Sequence, residues 1–121
     1  MSSSLYEKIG GFGVVSRIVL RFYDKVLESE LVSPYFASID IKRLIDHQTM
    51  FICSLLGGPA SFTDEQIRSA HHDARITTEA FDEIVELFEE SLDETGLEQR
   101  DVATALNLFK EKRPLVVANG N

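Results

Sequence analysis

The sequence of 121 residues predicts an all-α fold. In several segments the apolar residues recur every three or four positions, which is the spacing of an amphipathic helix. Capping-box spacings at Ser4 and Thr63 and glycine pairs at Gly10 and Gly57 mark where such helices start and stop. No segment alternates apolar and polar residues for long enough to predict a strand. We expect a single domain over 1–121, with an ordered core over about 5–115.

These start and stop signals divide the chain into helices of unequal length. The predicted elements are, in order, a short helix after Ser4, a long helix over about 12–28, a short turn at 33–36, a long helix from the Asp40 cap to Gly57-Gly58-Pro59, a short helix from Thr63 to about Asp73, a helix from Thr77 or Thr78 to Gly96, and a last helix that carries Val102 to Phe109. Pro114 discourages continuation of that last helix.

Composition and charge narrow the classes of partner. The formal net charge is −8 and no basic patch interrupts it, so neither nucleic acid nor an anionic membrane is an expected partner. Cys53 is the single cysteine, which suits a reducing cytoplasm. The longest apolar runs are too short to span a bilayer, and Met1–Leu5 lacks the features of a signal peptide. We expect a cytoplasmic monomer or weak homodimer.

Polar side chains on inward helix faces are informative, because an all-helical core is otherwise apolar. Tyr23 falls beside Val19 on the buried face of the second helix. Gln48 falls near the middle of the apolar face of the next long helix, and His47 falls at its edge. A core tyrosine bonded to a carbonyl would also explain Tyr23, and a solvated edge residue would explain His47. Together, Tyr23 and Gln48 suggest a small polar pocket inside an apolar one.

The adjacent His71 and His72 point about 100° apart on their short helix, so only one of them can face the core. His71 shares a side with Ile67, whereas His72 lies with Arg68. A lone inward histidine is more often a satisfied core residue than a ligand. This helix, however, has few large apolar anchors and would gain stability from something bound against it. Since imidazole is a good axial ligand for haem iron, His71 is the candidate metal ligand.

Haem is a large apolar plate with two carboxylates at one edge, and the sequence offers residues for both features. The apolar residues that could line such a slot are Phe22, Phe36, Phe51, Ile76, Phe81, Val85 and Phe88. The cations placed to meet the carboxylates are Lys42, Arg43, Arg68 and Arg75, although any of them could be a surface charge.

The order and spacing of several segments resemble the group I truncated haemoglobins, from about Leu5 to the last helix near Leu115. These segments are Leu5-Tyr6-Glu7-Lys8-Ile9-Gly10-Gly11, Arg21-Phe22-Tyr23-Asp24-Lys25-Val26-Leu27, Pro34-Tyr35-Phe36-Ala37, His47-Gln48 through Leu56-Gly57-Gly58-Pro59, and Ala70-His71-His72 followed by Ile76-Thr77 and Phe81. The resemblance implies a truncated globin fold, a two-over-two helical sandwich around one haem b.

The resemblance also implies roles for single residues. His71 matches the proximal iron ligand of the family, and Phe36 matches the phenylalanine that packs on the haem face. Tyr23 and Gln48 match distal residues that hydrogen-bond the gas ligand. The usual distal-histidine position corresponds to Leu44, which cannot donate a hydrogen bond.

His47 matches a site that carries a second iron-binding histidine in some relatives, so it is a possible sixth ligand. The function implied is reversible binding of oxygen or another diatomic gas, NO or CO, at a five-coordinate haem iron. The same pocket could oxidise nitric oxide to nitrate, as a dioxygenase that needs an electron donor such as a reductase. Oxygen storage or transport, sensing and detoxification are all compatible with these residues.

Two other classes of protein fit parts of the pattern. The His72-Asp73 pair, with His47 upstream, matches the His…His-Asp pattern of metal-dependent phosphohydrolases. Such a site needs further ligands from other helices. A haem-free helical sensor or interaction module would also have apolar helix faces. In that case there would be no functional reason for the polar residues Tyr23, Gln48 and His71 to be buried.

Overall fold

The computed structural model describes residues 4–58, 62–72 and 75–117. Its helices are α1 (Leu5–Ile9), α2 (Phe12–Glu28), α3 (Ile41–Leu55), α4 (Asp64–His72), α5 (Thr78–Glu94), α6 (Gln99–Lys110) and α7 (Arg113–Val116), with a 3₁₀ turn at Ser33–Phe36 between α2 and α3. In the described part of the chain there is no strand, and one isolated parallel bridge joins Ile76 to Val117. The predicted all-α fold is confirmed.

Two pairs of helices form the two-over-two sandwich. Helix α2 packs on α3 in one pair, α5 packs on α6 in the other, and α2 also packs on α5 so that the pairs are joined. The inward face of α2 is fully buried at Val15, Ile18 and Val26, as its helical periodicity predicts. From the opposite pair, Phe88 and Leu92 of α5 complete the core.

Capping bonds explain why the helices begin where they do. At the start of α4 the Gln66 N–H donates to Thr63 Oγ1 (3.1 Å), and the Thr63 N–H donates to Gln66 Oε1 (2.8 Å). This reciprocal pair is the predicted capping box. The side chains of Asp40 and Thr77 cap α3 and α5, again as predicted. The short helix that carries His71 therefore has a fixed start.

The C-terminal region differs from the sequence prediction in one respect. Helix α6 ends at Lys110, but the chain then forms the further helix α7, with Pro114 in its first turn. Proline is tolerated there because the first residues of a helix have no partner for their N–H groups. Helix α7 packs against α4. The predicted boundary residues Pro59 and Asp73 lie outside the described residues.

None of the described helices is long and apolar enough to cross a membrane.

The turn between α1 and α2 depends on a glycine that no other residue replaces easily. Gly10 has φ +122°, and a Cβ placed on it would lie 2.5 Å from Val14 Cγ2. We expect Gly10→Ala to lower the free energy of unfolding by about 1–3 kcal/mol, since both backbone strain and a clash oppose it. Chemical denaturation measures the loss.

Gly13→Ala is the matched control for that experiment. Gly13 lies within α2, and a Cβ there would meet nothing within 4 Å. Alanine should leave the stability unchanged or raise it by up to about 1 kcal/mol, because alanine favours helix more than glycine does. Equal losses in the two variants would contradict the role assigned to Gly10.

Candidate functional site

A cavity of about 290 Å³ lies between the helix pairs and has mainly apolar walls. Its lining comes from α2, the 3₁₀ turn, α3, α4, α5, α6 and the start of the C-terminal segment. The sequence-predicted residues that line it are Phe22, Tyr23, Phe36, Leu44, His47, Gln48, Phe51, His71, Ile76, Phe81 and Phe88. The structure thus brings most of the predicted site residues to one place.

The imidazole of His71 is half-buried in the wall that α4 contributes. Its Nδ1 lies 2.7 Å from the backbone carbonyl oxygen of Ile67, one turn earlier on the same helix. A carbonyl can only accept a hydrogen bond, so Nδ1 carries a proton, and in the neutral imidazole Nε2 is then the nitrogen with the free lone pair. This contact fixes both the ring orientation and the tautomer that a metal would need at Nε2.

Tyr23 is the most buried polar residue of the cavity wall. The residue is 5% exposed, and its ring packs edge-on against Phe22 and Phe36, at centroid distances of 5.0 and 5.8 Å. Burial raises the pKa of the Tyr23 phenol above its ordinary value. No hydrogen bond within the described part of the chain uses this hydroxyl. The phenol of Tyr23 is therefore held in the cavity wall by its ring contacts, with its hydroxyl unused by the described residues.

Three residues of α3 line the cavity beside Tyr23. Gln48 is half-buried, and its amide takes part in no hydrogen bond between described residues. Leu44 is also half-buried and offers no donor. His47 is exposed, with its ring edge-on to Phe62 at 5.7 Å. The sequence prediction that His47 lies at the edge of the face agrees with this position.

The predicted cations do not line the cavity. Lys42 lies instead in a surface groove between α2 and α3, and Arg68 pairs loosely with Glu65 at 3.9 Å. Arg43 and Arg75 are exposed and, like Val85, lie outside the described cavity lining. Helical periodicity predicts the direction of a side chain from its own helix, but it does not tell which surface a charged residue faces in the assembled fold.

Sequence reasoning missed several lining residues, which come from α2, α3 and α5, from the 3₁₀ turn and the residues after it, and from the C-terminal part of the chain. They are Val19, Val26, Tyr35, Ile39, Ile52, Ile84, Phe109, Lys112 and Val116. Most belong to helix faces that the apolar spacing does identify as buried. The Tyr35 hydroxyl accepts a hydrogen bond from the Thr77 N–H at 3.3 Å, which links the turn to the start of α5. Lys112 has no sequence signal, because it follows the end of α6.

The structure gives no support to a site made only of metal-binding side chains. Among the described residues, no three His, Cys, Asp or Glu side chains lie close enough together to hold a metal ion. The side chain of His72 and all of Asp73, on which the phosphohydrolase alternative depends, lie outside the described residues.

Crossed helix pairs that enclose an apolar pocket define the class of globin-like folds. Residues 4–117 match the family of bacterial-like globins, and the chain belongs to this family as a truncated haemoglobin. Among its relatives, a group 1 truncated haemoglobin of Tetrahymena pyriformis is 31% identical over 110 residues, which cover 91% of each chain. A group 1 truncated haemoglobin of Synechocystis is 30% identical over 105 residues, covering 84% of this chain and 85% of the relative.

Solved structures agree with this assignment. The Fe(III) form of the Tetrahymena pyriformis truncated haemoglobin has a TM-score of 0.87 and 30% identity, over 95% of this chain and 98% of that one. The 2/2 haemoglobin of a Synechococcus species, in the cyanomet state with covalently attached haem, has a TM-score of 0.88 and 32% identity over the same shares. The predicted two-over-two fold and the resemblance to truncated haemoglobins are confirmed.

Proposed function

We propose that the chain holds haem b in the cavity through His71 and binds oxygen or another diatomic gas, such as NO or CO, beside Tyr23 and Gln48. The observation that carries the proposal is the His71–Ile67 contact, which occupies Nδ1 and leaves Nε2 as the ring nitrogen available to a metal in a mainly apolar cavity. Membership of the truncated haemoglobins supports haem as the cofactor and weighs against a haem-free module or a phosphohydrolase.

The residues of the cavity fit the chemistry of haem. Aromatic and aliphatic side chains, including Phe36 and Phe51, suit the apolar face of a porphyrin. The imidazole of His71, oriented through its Nδ1, suits its iron. When bound, haem supplies an iron that takes up diatomic gases.

Tyr23 and Gln48 decide how firmly a polar ligand is held. A ligand that would gain negative charge in the cavity would be stabilised by a preorganised donor in this water-poor setting more than by water. The Tyr23 hydroxyl stays protonated across the physiological pH range, because burial raises its pKa above an already high ordinary value. The amide of Gln48 is a second donor on the next helix, whereas Leu44 contributes only apolar surface.

A haem titration tests the proposal. Ferric haem added to the purified chain should produce a strong Soret band that saturates at one haem per chain. A titration without saturation would contradict the proposal.

The same sample tests whether His47 is a sixth ligand. We expect a five-coordinate, high-spin spectrum without added gas, and the same spectrum in His47→Ala, because His47 is exposed and lies against Phe62. A low-spin, bis-histidine spectrum that disappears in His47→Ala would show that His47 binds the iron instead. Oxidation of nitric oxide with help from a reductase stays a prediction of the sequence.

A further inference from the structure

We infer that Lys112 binds a carboxylate of the cofactor, because it lines the cavity and none of the cations singled out in the sequence does. The inference rests on the proposed function, since it names the residue that would hold the charged edge of haem. Lys112 is the one permanently charged side chain among the described residues that line the cavity.

The backbone fixes Lys112 at the junction of α6 and α7. Its N–H donates to the Phe109 carbonyl at 3.1 Å, and its own carbonyl accepts from the Leu115 N–H at 3.0 Å. Phe109 and Val116, from the helices on either side, line the same cavity. Lys112 therefore lies within an apolar stretch of the cavity wall, along which its stem can pack.

The ammonium group is only loosely engaged by the protein. Its contact with Asp64 Oδ1 is 3.8 Å, whereas Lys25 and Lys8 reach their carboxylate partners at 2.7 and 2.9 Å. Charge-assisted hydrogen bonds have the shorter distances. Asp64 is 71% exposed on its side chain, so it does little to compensate a partly buried charge.

A partly buried ammonium beside an apolar cavity favours one kind of ligand. The Lys112 side chain is 30% exposed, and burial of its charge costs free energy unless an anion pairs with it. The other described lining residues offer no carboxylate. A ligand with a broad apolar body and a carboxylate at its edge can pack against the apolar wall and pair with the Lys112 ammonium. Haem has this form.

Lys112→Met tests the inference, because methionine keeps an unbranched apolar stem and removes the charge. Lys110→Met is the matched control, since Lys110 is exposed at the end of α6 and lies outside the cavity lining. Each protein is loaded with haem or with haem dimethyl ester, which lacks the negative charges. The rate of transfer to excess apomyoglobin is then measured.

We expect Lys112→Met to release haem about 3- to 10-fold faster than the wild type does, a range between an exposed ion pair and a charge-assisted hydrogen bond. Release of the dimethyl ester should be the same in both, which also shows that the variant is folded. Lys110→Met should behave as the wild type with both cofactors.

Two results would overturn the inference while leaving the proposed function intact. One is release of haem by Lys112→Met at the wild-type rate. The other is equal acceleration for haem and its ester, which would assign only packing to the lysine stem. Failure of the wild-type chain to take up either cofactor would instead overturn the proposed function, and this inference with it.

Discussion

Replacing His71 by glycine is expected to lower the affinity for haem by more than about 100-fold, because loss of a direct ligand costs more than loss of the groups that orient it. The variant loses Nε2, the ring nitrogen that is oriented toward a metal by the contact of Nδ1 with the Ile67 carbonyl oxygen. Free imidazole should restore much of the wild-type spectrum, since it fits the space left by the side chain. The Soret titration, with and without imidazole, measures both effects.

His72→Gly is the control for that experiment. It removes the same chemical group one position further along α4. We expect it to bind haem as the wild type does, because helical geometry turns position 72 about 100° away from His71, which lines the cavity. Loss of haem from His72→Gly, with normal binding by His71→Gly, would reverse the assignment.

Replacing Tyr23 by phenylalanine is expected to speed the dissociation of oxygen by about 10- to 150-fold. This range corresponds to the roughly 1.5–3 kcal/mol of a hydrogen bond to a charged partner. The ring contacts with Phe22 and Phe36 can remain in the variant, so the hydroxyl is the main loss. Flash photolysis or stopped-flow mixing measures the rate.

Carbon monoxide is the matched ligand for the Tyr23→Phe comparison. It carries little charge when bound, so its dissociation rate should change much less than that of oxygen. An oxygen dissociation rate equal to that of the wild type would remove the role proposed for Tyr23.

Local rules predicted the helices well. The capping box at Thr63, the cap at Asp40 and the glycine at Gly10 are all satisfied by bonds or dihedral angles within a few residues. Helix α2 has the predicted bounds because its apolar spacing is regular and strong turn signals flank it. Such features depend on residues close together in sequence, so they form independently of the tertiary arrangement.

The site was predictable where a polar residue interrupts an apolar face. Tyr23, Gln48 and His71 stand out for this reason, and all three line one cavity. Their chemical roles came from the resemblance to truncated haemoglobins and remain predictions.

The charged edge of the site could not be predicted in this way. Lys112 lies between α6 and α7, where helical periodicity gives no prediction, and it lines the cavity in a region where α7 packs against α4. Lys42, in contrast, lies on a regular helix but faces a groove between α2 and α3. Which surface a lysine faces depends on the tertiary arrangement, because its long, flexible side chain can place the charged group in many different polar surroundings.

Reversible oxygen binding by the haem-loaded, reduced chain can be measured in an oxygen equilibrium experiment. We expect a stable complex with one oxygen per haem, which forms on exposure to oxygen and is reversed when oxygen is removed. Haem that binds to the chain but is oxidised at once, with no reversible oxygen complex, would contradict it.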